Sequence, residues 1–269
     1  MKLSYSGVAA AIGAVMSTAA MAAPIPVATW NFNNNFHPEE IGAPDMTPID
    51  PLGLNGFMTD TVFGVSETVY RFDGTQLPPT NQAGLSVSTI GLLDMDDSCS
   101  IEMLFMFEAN QASWELIAGI SNRTSDNAFY VEPDDHLQIY PTGNGINIFT
   151  FGEYHRVTLT NDRAGHVTAY MEGVFEFDLI TSVMDFSSYA VSNPARLIHF
   201  FADNVISGGQ SEFADGRIAM IRLYDDELTD DEVADLENTV PAPGAMFLVG
   251  LGLLGLGVLR RRSRSHFKF

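Results

Sequence analysis

The sequence predicts an all-β fold, an antiparallel sandwich. Three observations carry this expectation. Ten short runs are rich in β-branched and aromatic residues, turn signals separate them, and no helical period is interleaved as a parallel α/β sheet would require. The runs cover residues 27–32, 68–72, 100–107, 114–120, 127–131, 137–140, 154–160, 166–171, 196–201 and 217–224. The turn signals include Asp73-Gly74, Thr142-Gly143-Asn144-Gly145, Asn161-Asp162-Arg163-Ala164-Gly165 and Glu172-Gly173. In residues 100–107 both alternating sets contain apolar side chains, as expected for a strand covered on both faces. No repeat of 20 to 50 residues is visible.

The chain opens with a segment of different character. Lys2 gives a short basic start, residues 8–20 are apolar and small, and Ala20-Met21-Ala22 has the A-x-A form read by signal peptidase. Residues 1–22 are expected to be a signal peptide, cut between Ala22 and Ala23. The protein is then exported, and residues 23–239 form one domain with chain enough for a substantial core.

The charge of that domain is extreme. All 34 acidic residues lie between residues 24 and 240, against seven arginines and no lysine, a formal balance of −27. Such a surface repels nucleic acid and anionic lipid headgroups, which excludes both as partners. Cys99 is the single cysteine, so no disulfide joins parts of this chain. The sequence shows no zinc-ligand spacing, phosphate loop or nucleophile elbow. Glu132-Pro133-Asp134-Asp135-His136 reads as a solvated acidic turn, and His155 and His199 read as strand residues.

One helix is signalled. Thr229 is placed to cap it, Glu232 follows three positions later to complete a capping box, and Leu228 and Val233 form a hydrophobic staple. Asp230 and Asp231 then fall in the first turn, where the helix dipole favours negative charge. These acids are explained by the helix and need no metal.

The C-terminal thirty residues are ordered in three parts. Val240-Pro241-Ala242-Pro243 comes first, residues 244–259 form a 16-residue apolar run with five glycines, and Arg260-Arg261-Arg262 and Arg264 follow. The run is slightly shorter than the ~20 residues of a settled transmembrane helix. The arginines hold the end on the cytoplasmic side. This order resembles the PEP-CTERM sorting signal of exopolysaccharide-producing Gram-negative bacteria, and residues 240–269 are assigned to it. The resemblance implies a transient anchor in the inner membrane and removal of the tail by an exosortase. It also implies delivery to the outer surface or extracellular matrix. Ala242 stands where that family usually has glutamate. A plain single-pass anchor is the alternative.

The strand segments carry a second resemblance. Tyr70-Arg71-Phe72-Asp73-Gly74, Ser100-Ile101-Glu102-Met103-Leu104-Phe105, the paired segments 154–160 and 165–173, and the closing stretch 213–224 follow in the order of laminin-G-like domains. Ala219 replaces a frequent aspartate of that family, and Tyr154 a frequent tryptophan. The resemblance implies a concanavalin A-like jelly roll flanked by the signal peptide and the transmembrane sorting tail. It further implies a non-enzymatic adhesion protein that binds carbohydrate or protein. Concanavalin-like folds also host β-glucanases, whose catalytic strand reads Glu-x-Asp-x-x-Glu. Here Glu176-Phe177-Asp178 begins that pattern, but Thr181 and Ser182 stand where the second glutamate belongs, and both acids are expected to be exposed. A carbohydrate-active enzyme (glycosidase or lyase) and a structural matrix protein without a specific ligand remain the rival readings. Calcium often accompanies this fold, and Asp203 and Asn204 on the loop after residues 196–201 are its expected donors, with Asp215 near in sequence.

Overall fold

The computed structural model describes residues 23–75, 78–93, 98–109, 113–186, 195–206 and 212–236. The signal segment ending at Ala22, the Val240–Pro243 motif, the apolar run 244–259 and Arg260, Arg261 and Arg262 lie outside them. Among the described residues no helix is long and apolar enough to cross a membrane.

Among the described residues fifteen strands form two antiparallel sheets. They are β1 (Ala28–Trp30), β2 (Thr47–Ile49), β3 (Gly56–Val62), β4 (Val65–Phe72), β5 (Gly84–Ser88), β6 (Cys99–Phe107), β7 (Glu115–Gly119) and β8 (Phe129–Val131). After these come β9 (His136–Ile139), β10 (Gly143–Ile148), β11 (His155–Asn161), β12 (His166–Met171), β13 (Val174–Ile180), β14 (Leu197–Phe200) and β15 (Gly216–Tyr224). The first sheet runs β13-β12-β11-β6-β15-β4-β3, and β1 pairs with β15 beyond the point where β4 leaves it. The second runs β10-β9-β8-β7-β14-β5-β2. Every pairing is between antiparallel neighbours, many distant in sequence, which is the sandwich that the turn-separated runs predict.

Side chains alternate across each sheet, and one alternate set fills the space between the two. Phe72, Phe105, Phe107, Phe149 and Phe201 are fully buried there, with Phe72 stacked on Phe201 at 4.1 Å between ring centres. The other set of the first sheet is covered too. Leu104, Met106, Met220 and Tyr154 make a patch on its outer face. Beside it the short helix α1 (Asp230–Leu236) packs Leu228, Val233 and Leu236 against Tyr170 and Tyr224. The capping box forms as expected: the Thr229 N–H donates to Glu232 Oε2 at 2.9 Å, and the Glu232 N–H donates to Thr229 Oγ1 at 3.3 Å.

Two expectations are corrected. Thr142-Gly143-Asn144-Gly145 is not only a turn, because β10 begins at Gly143. A Cβ on Gly143 would lie 2.6 Å from Leu179 Cδ1, and one on Gly145 would lie 2.8 Å from Glu176 Oε2. Glycine is present so that the edge strand can approach β13. Glu176 is not exposed; it is 1% accessible and accepts hydrogen bonds from the Ile146 and Asn147 backbone N–H groups and from Asn147 Nδ2. It is the extra residue of a β-bulge between β12 and β13, and the bulge turns its side chain toward β10. Asp178 stays half exposed at the surface, beside His166.

Candidate functional site

The outer face of the second sheet carries the site. Leu116 on β7 and Tyr130 on β8 point away from the main core and join Ala128, with Trp114 and Tyr140 packed against them. Trp114 immediately precedes β7 and Tyr140 immediately follows β9; the register sets Leu116, Tyr130 and Gln138 in one row with Trp114 and Tyr140 on opposite sides of it, and the two rings turn toward each other. Trp114 meets Tyr140 edge-on at 5.1 Å and Tyr130 edge-on at 5.6 Å. These three rings, with Asp126 and Glu212, line a cleft of about 80 Å³.

Directly below the rings lies a carboxylate cluster. Asp126 from the β7–β8 loop, Asp203 following β14 and Glu212 preceding β15 bring oxygens within 4.8 Å of one another. The Tyr130 hydroxyl lies 2.9 Å from both the Asp126 carbonyl oxygen and Asp203 Oδ1. Asn204 Nδ2 donates to Asp126 Oδ1 at 3.0 Å and to Asp203 Oδ2 at 3.2 Å. Arg123 Nε donates to the Asp203 carbonyl at 2.6 Å, which fixes the loop. Among the described residues this is the one group of acids and histidines placed to hold a metal ion.

The expected pair is therefore only partly together as donors. Asp203 joins the cluster, whereas Asn204 turns its amide nitrogen toward it and uses its oxygen to accept from the Ile206 N–H. Asp215 lies elsewhere, holding the Gly74 N–H. Glu132 instead supports a hairpin by accepting from Asn144 Nδ2. His155 bridges Glu172 and the Thr150 carbonyl, and burial lowers His199 to a pKa of about 3, so it stays neutral. Sequence reading missed Trp114, Tyr130, Tyr140, Asp126 and Glu212. The signal available was an aromatic residue opening the run 114–120 and another closing the run 137–140.

Burial pushes the Asp203 carboxyl up from its ordinary value near 3.8 to about 7, and the neighbouring charges of Glu212 and Asp126 add to the rise. The folded protein thus keeps a proton that the unfolded chain has released above about pH 4. The folded state binds more protons across pH 4 to 7, so this group's contribution to stability falls as pH rises through that window. In chelator, the melting temperature of Asp203→Asn should gain on that of the wild type between pH 4 and pH 7. Parallel curves for the two proteins would refute the assignment.

A family model describing the PEP-CTERM protein-sorting motif matches residues 239–262. No curated protein matches the chain. Among solved structures, domain 4 of AbnA, a GH43 extracellular arabinanase from Geobacillus stearothermophilus, in complex with arabinotriose, superposes with a TM-score of 0.57 at 16% identity. The match covers 80% of this chain and 100% of that one. A botulinum neurotoxin type C structure, described as entering cells by interaction with two ganglioside molecules, gives 0.52 at 14% identity, over 80% of this chain and 51% of its own. The binding domain of botulinum neurotoxin DC in complex with SialylT gives 0.51 at 11%, over 78% and 50%. The chain spans about half the length of these toxin chains. At such identities the likeness establishes the fold, a concanavalin-like jelly roll, and the motif marks the chain as one sorted for export through an exosortase.

Proposed function

We propose that the domain is a non-enzymatic carbohydrate-binding module of the cell envelope or exopolysaccharide matrix of a Gram-negative bacterium. The observation that carries this reading is the cleft of Trp114, Tyr130 and Tyr140 above the Asp126–Asp203–Glu212 cluster. Aromatic faces cover the C–H face of a sugar, and carboxylate oxygens accept from its hydroxyls. The cleft is too small to enclose a ring, so the sugar is held at the surface. The balance of −27 selects against anionic glycans. The structural neighbours described with arabinotriose and with gangliosides are consistent in ligand class. Calcium at Asp203, with Asp126 and Glu212, is part of the proposal, since hard oxygen donors converge there.

The test is a glycan array on the exported protein, with calcium, with magnesium at equal ionic strength, and with chelator. Binding that calcium supports and magnesium does not is the expected result. Trp114→Ala should weaken a positive glycan by about thirtyfold, the ~2 kcal/mol of a central aromatic contact. Full binding by that variant would remove the site from this reading, and an array silent under all three conditions would favour a matrix protein without a ligand.

A second reading, a glycosidase or lyase, is favoured by one observation. Asp203 retains a proton near neutrality beside two other carboxylates, as a general acid requires. It ranks second because Asp203 has no exposed surface and does not line the cleft. Release of reducing ends from a bound glycan, lost in Asp203→Asn, would reverse the ranking.

The sorting tail is proposed to be removed. Mass spectrometry of the mature exported protein should find no peptide beyond residues 240–243, and recovery of the chain through Phe269 would defeat this.

A further inference from the structure

The outer face of the first sheet carries a different cleft, of about 570 Å³, lined by Asp60, Phe63, Met106, Glu108, Tyr154 and Arg217. We infer that it is a second binding cleft for a neutral oligosaccharide, so that the domain engages two glycan segments from opposite faces of the sandwich. The inference rests on the carbohydrate-binding reading.

Phe63 is the first argument. Val62 pairs with Val65, which leaves Phe63 and Gly64 as a two-residue hairpin loop with φ of +46° and +81°. That is a type I′ turn, whose first position favours asparagine, aspartate or glycine. A phenylalanine there is strained and is also 49% exposed. Nothing in the core gains from it. What it does is present an aromatic face over the cleft. Such a breach of local preference is expected where a residue is kept for function.

The polar groups of the cleft are the second argument. Arg217 Nη1 contacts Asp60 Oδ2 at 2.6 Å, Arg217 Nη2 lies 3.3 Å from Glu108, and Arg71 Nε holds Glu108 at 3.0 Å. The Tyr154 hydroxyl donates to Asp60 at 2.8 Å. Arg71 also pairs with Asp73 at 2.7 Å, so two guanidiniums fix three carboxylates in place. They offer acceptors and donors for hydroxyls, and their one excess negative charge suits a neutral rather than an acidic sugar. Glu153, also in the lining, adds a further negative charge, which disfavours acidic sugars.

Position is the third. Met106 belongs to the outward set of the first sheet, and Tyr130 to the outward set of the second. The two clefts therefore face away from each other with the core between them. Two sites on one rigid body cross-link a polysaccharide, and each raises the effective concentration of the chain at the other.

The experiment is isothermal titration of the exported protein with arabinotriose, cellotriose and laminaritriose. The variants are Phe63→Asn and Trp114→Ala. Asparagine suits the turn better than phenylalanine, so Phe63→Asn removes the ring without endangering the fold, and its melting temperature checks this. Two sites in the wild type are expected, with Phe63→Asn weakening one at least tenfold and Trp114→Ala weakening the other about thirtyfold. One site that is weakened in Trp114→Ala and unchanged in Phe63→Asn would overturn the second cleft and leave the proposed function standing. One site with the reverse dependence would uphold this cleft and overturn the first. No binding to any of the three sugars would overturn both.

Discussion

Glu102→Ala should lower the stability of the domain by about 3–5 kcal/mol, the largest loss expected from any single side chain discussed above. Glu102 sits at the centre of β6 on its outward face and has no solvent-exposed surface. The β6–β15 register sets Arg222 directly opposite, and the β6–β11 register sets Arg156 one step along the diagonal. Arg156 Nη1 contacts Glu102 Oε1, Arg222 Nη1 lies 3.2 Å from Oε2, and the Tyr224 hydroxyl donates to Oε2 at 2.7 Å. One carboxylate is therefore shared by two guanidiniums, one of them only 2% exposed. Removing it takes the shared anionic partner from Arg156 and Arg222 and leaves Tyr224 without its acceptor. In a domain of this length the loss lowers the melting temperature by about 10 °C. Because the cluster is covered, 0.5 M salt should not close the gap, whereas a surface pair would be screened. Glu102→Gln, which keeps the Tyr224 hydrogen bond and the volume, should fall between wild type and alanine. A loss under 1 kcal/mol in Glu102→Ala, measured by urea denaturation, would show that the arginines find other partners.

Such a network was half legible in the sequence. The apolar residues on both alternating sets of residues 100–107 foretold a strand covered on both sides, and Glu102 is the acid within that covered strand. What covers it was not legible, because Arg156 and Arg222 come to it only through the register of two long-range pairings. The same division holds elsewhere. Strands whose residues favour extended backbone on their own, such as β6, β12 and β15, were placed within a residue or two. β10 was read as a turn because Gly143, Asn144 and Gly145 are turn residues by local preference, and only the approach of β13 makes it a strand. β2, β3 and β5 went unread for a related reason: they are short or glycine-led, and pairing rather than propensity defines them. At the site, Asp203 was found because it directly follows a clear strand. Asp126 and Glu212 reach it from distant loops, and no spacing in the chain announces that convergence.

Glu176→Ala tests how the two sheets are closed along one edge, with an expected loss of about 2–3 kcal/mol. β13 ends the first sheet and β10 ends the second, and no backbone ladder joins them. Glu176 makes the join with three hydrogen bonds: Oε2 accepts from the Ile146 N–H at 2.7 Å and the Asn147 N–H at 2.9 Å, and Oε1 accepts from Asn147 Nδ2 at 2.7 Å. Charge-assisted bonds of this kind are stronger than neutral ones. Their loss leaves two edge-strand amides without an acceptor, a penalty of about 1–3 kcal/mol per buried group. Ile146 and Ile148 are already largely exposed, so water relieves part of it and the expected total stays below that for Glu102. Hydrogen exchange separates this local effect from general weakening. In Glu176→Ala the Ile146 and Asn147 amides should exchange much faster, while amides of β6 and β11 slow or quicken only with global stability. Uniform acceleration across both sheets would mean that Glu176 supports the core rather than the edge. The side chain that superficially completes part of a glucanase motif is thereby assigned a structural task. If Glu176→Gln retains the closure through its remaining amide oxygen, hydrogen bonding outweighs charge at this position.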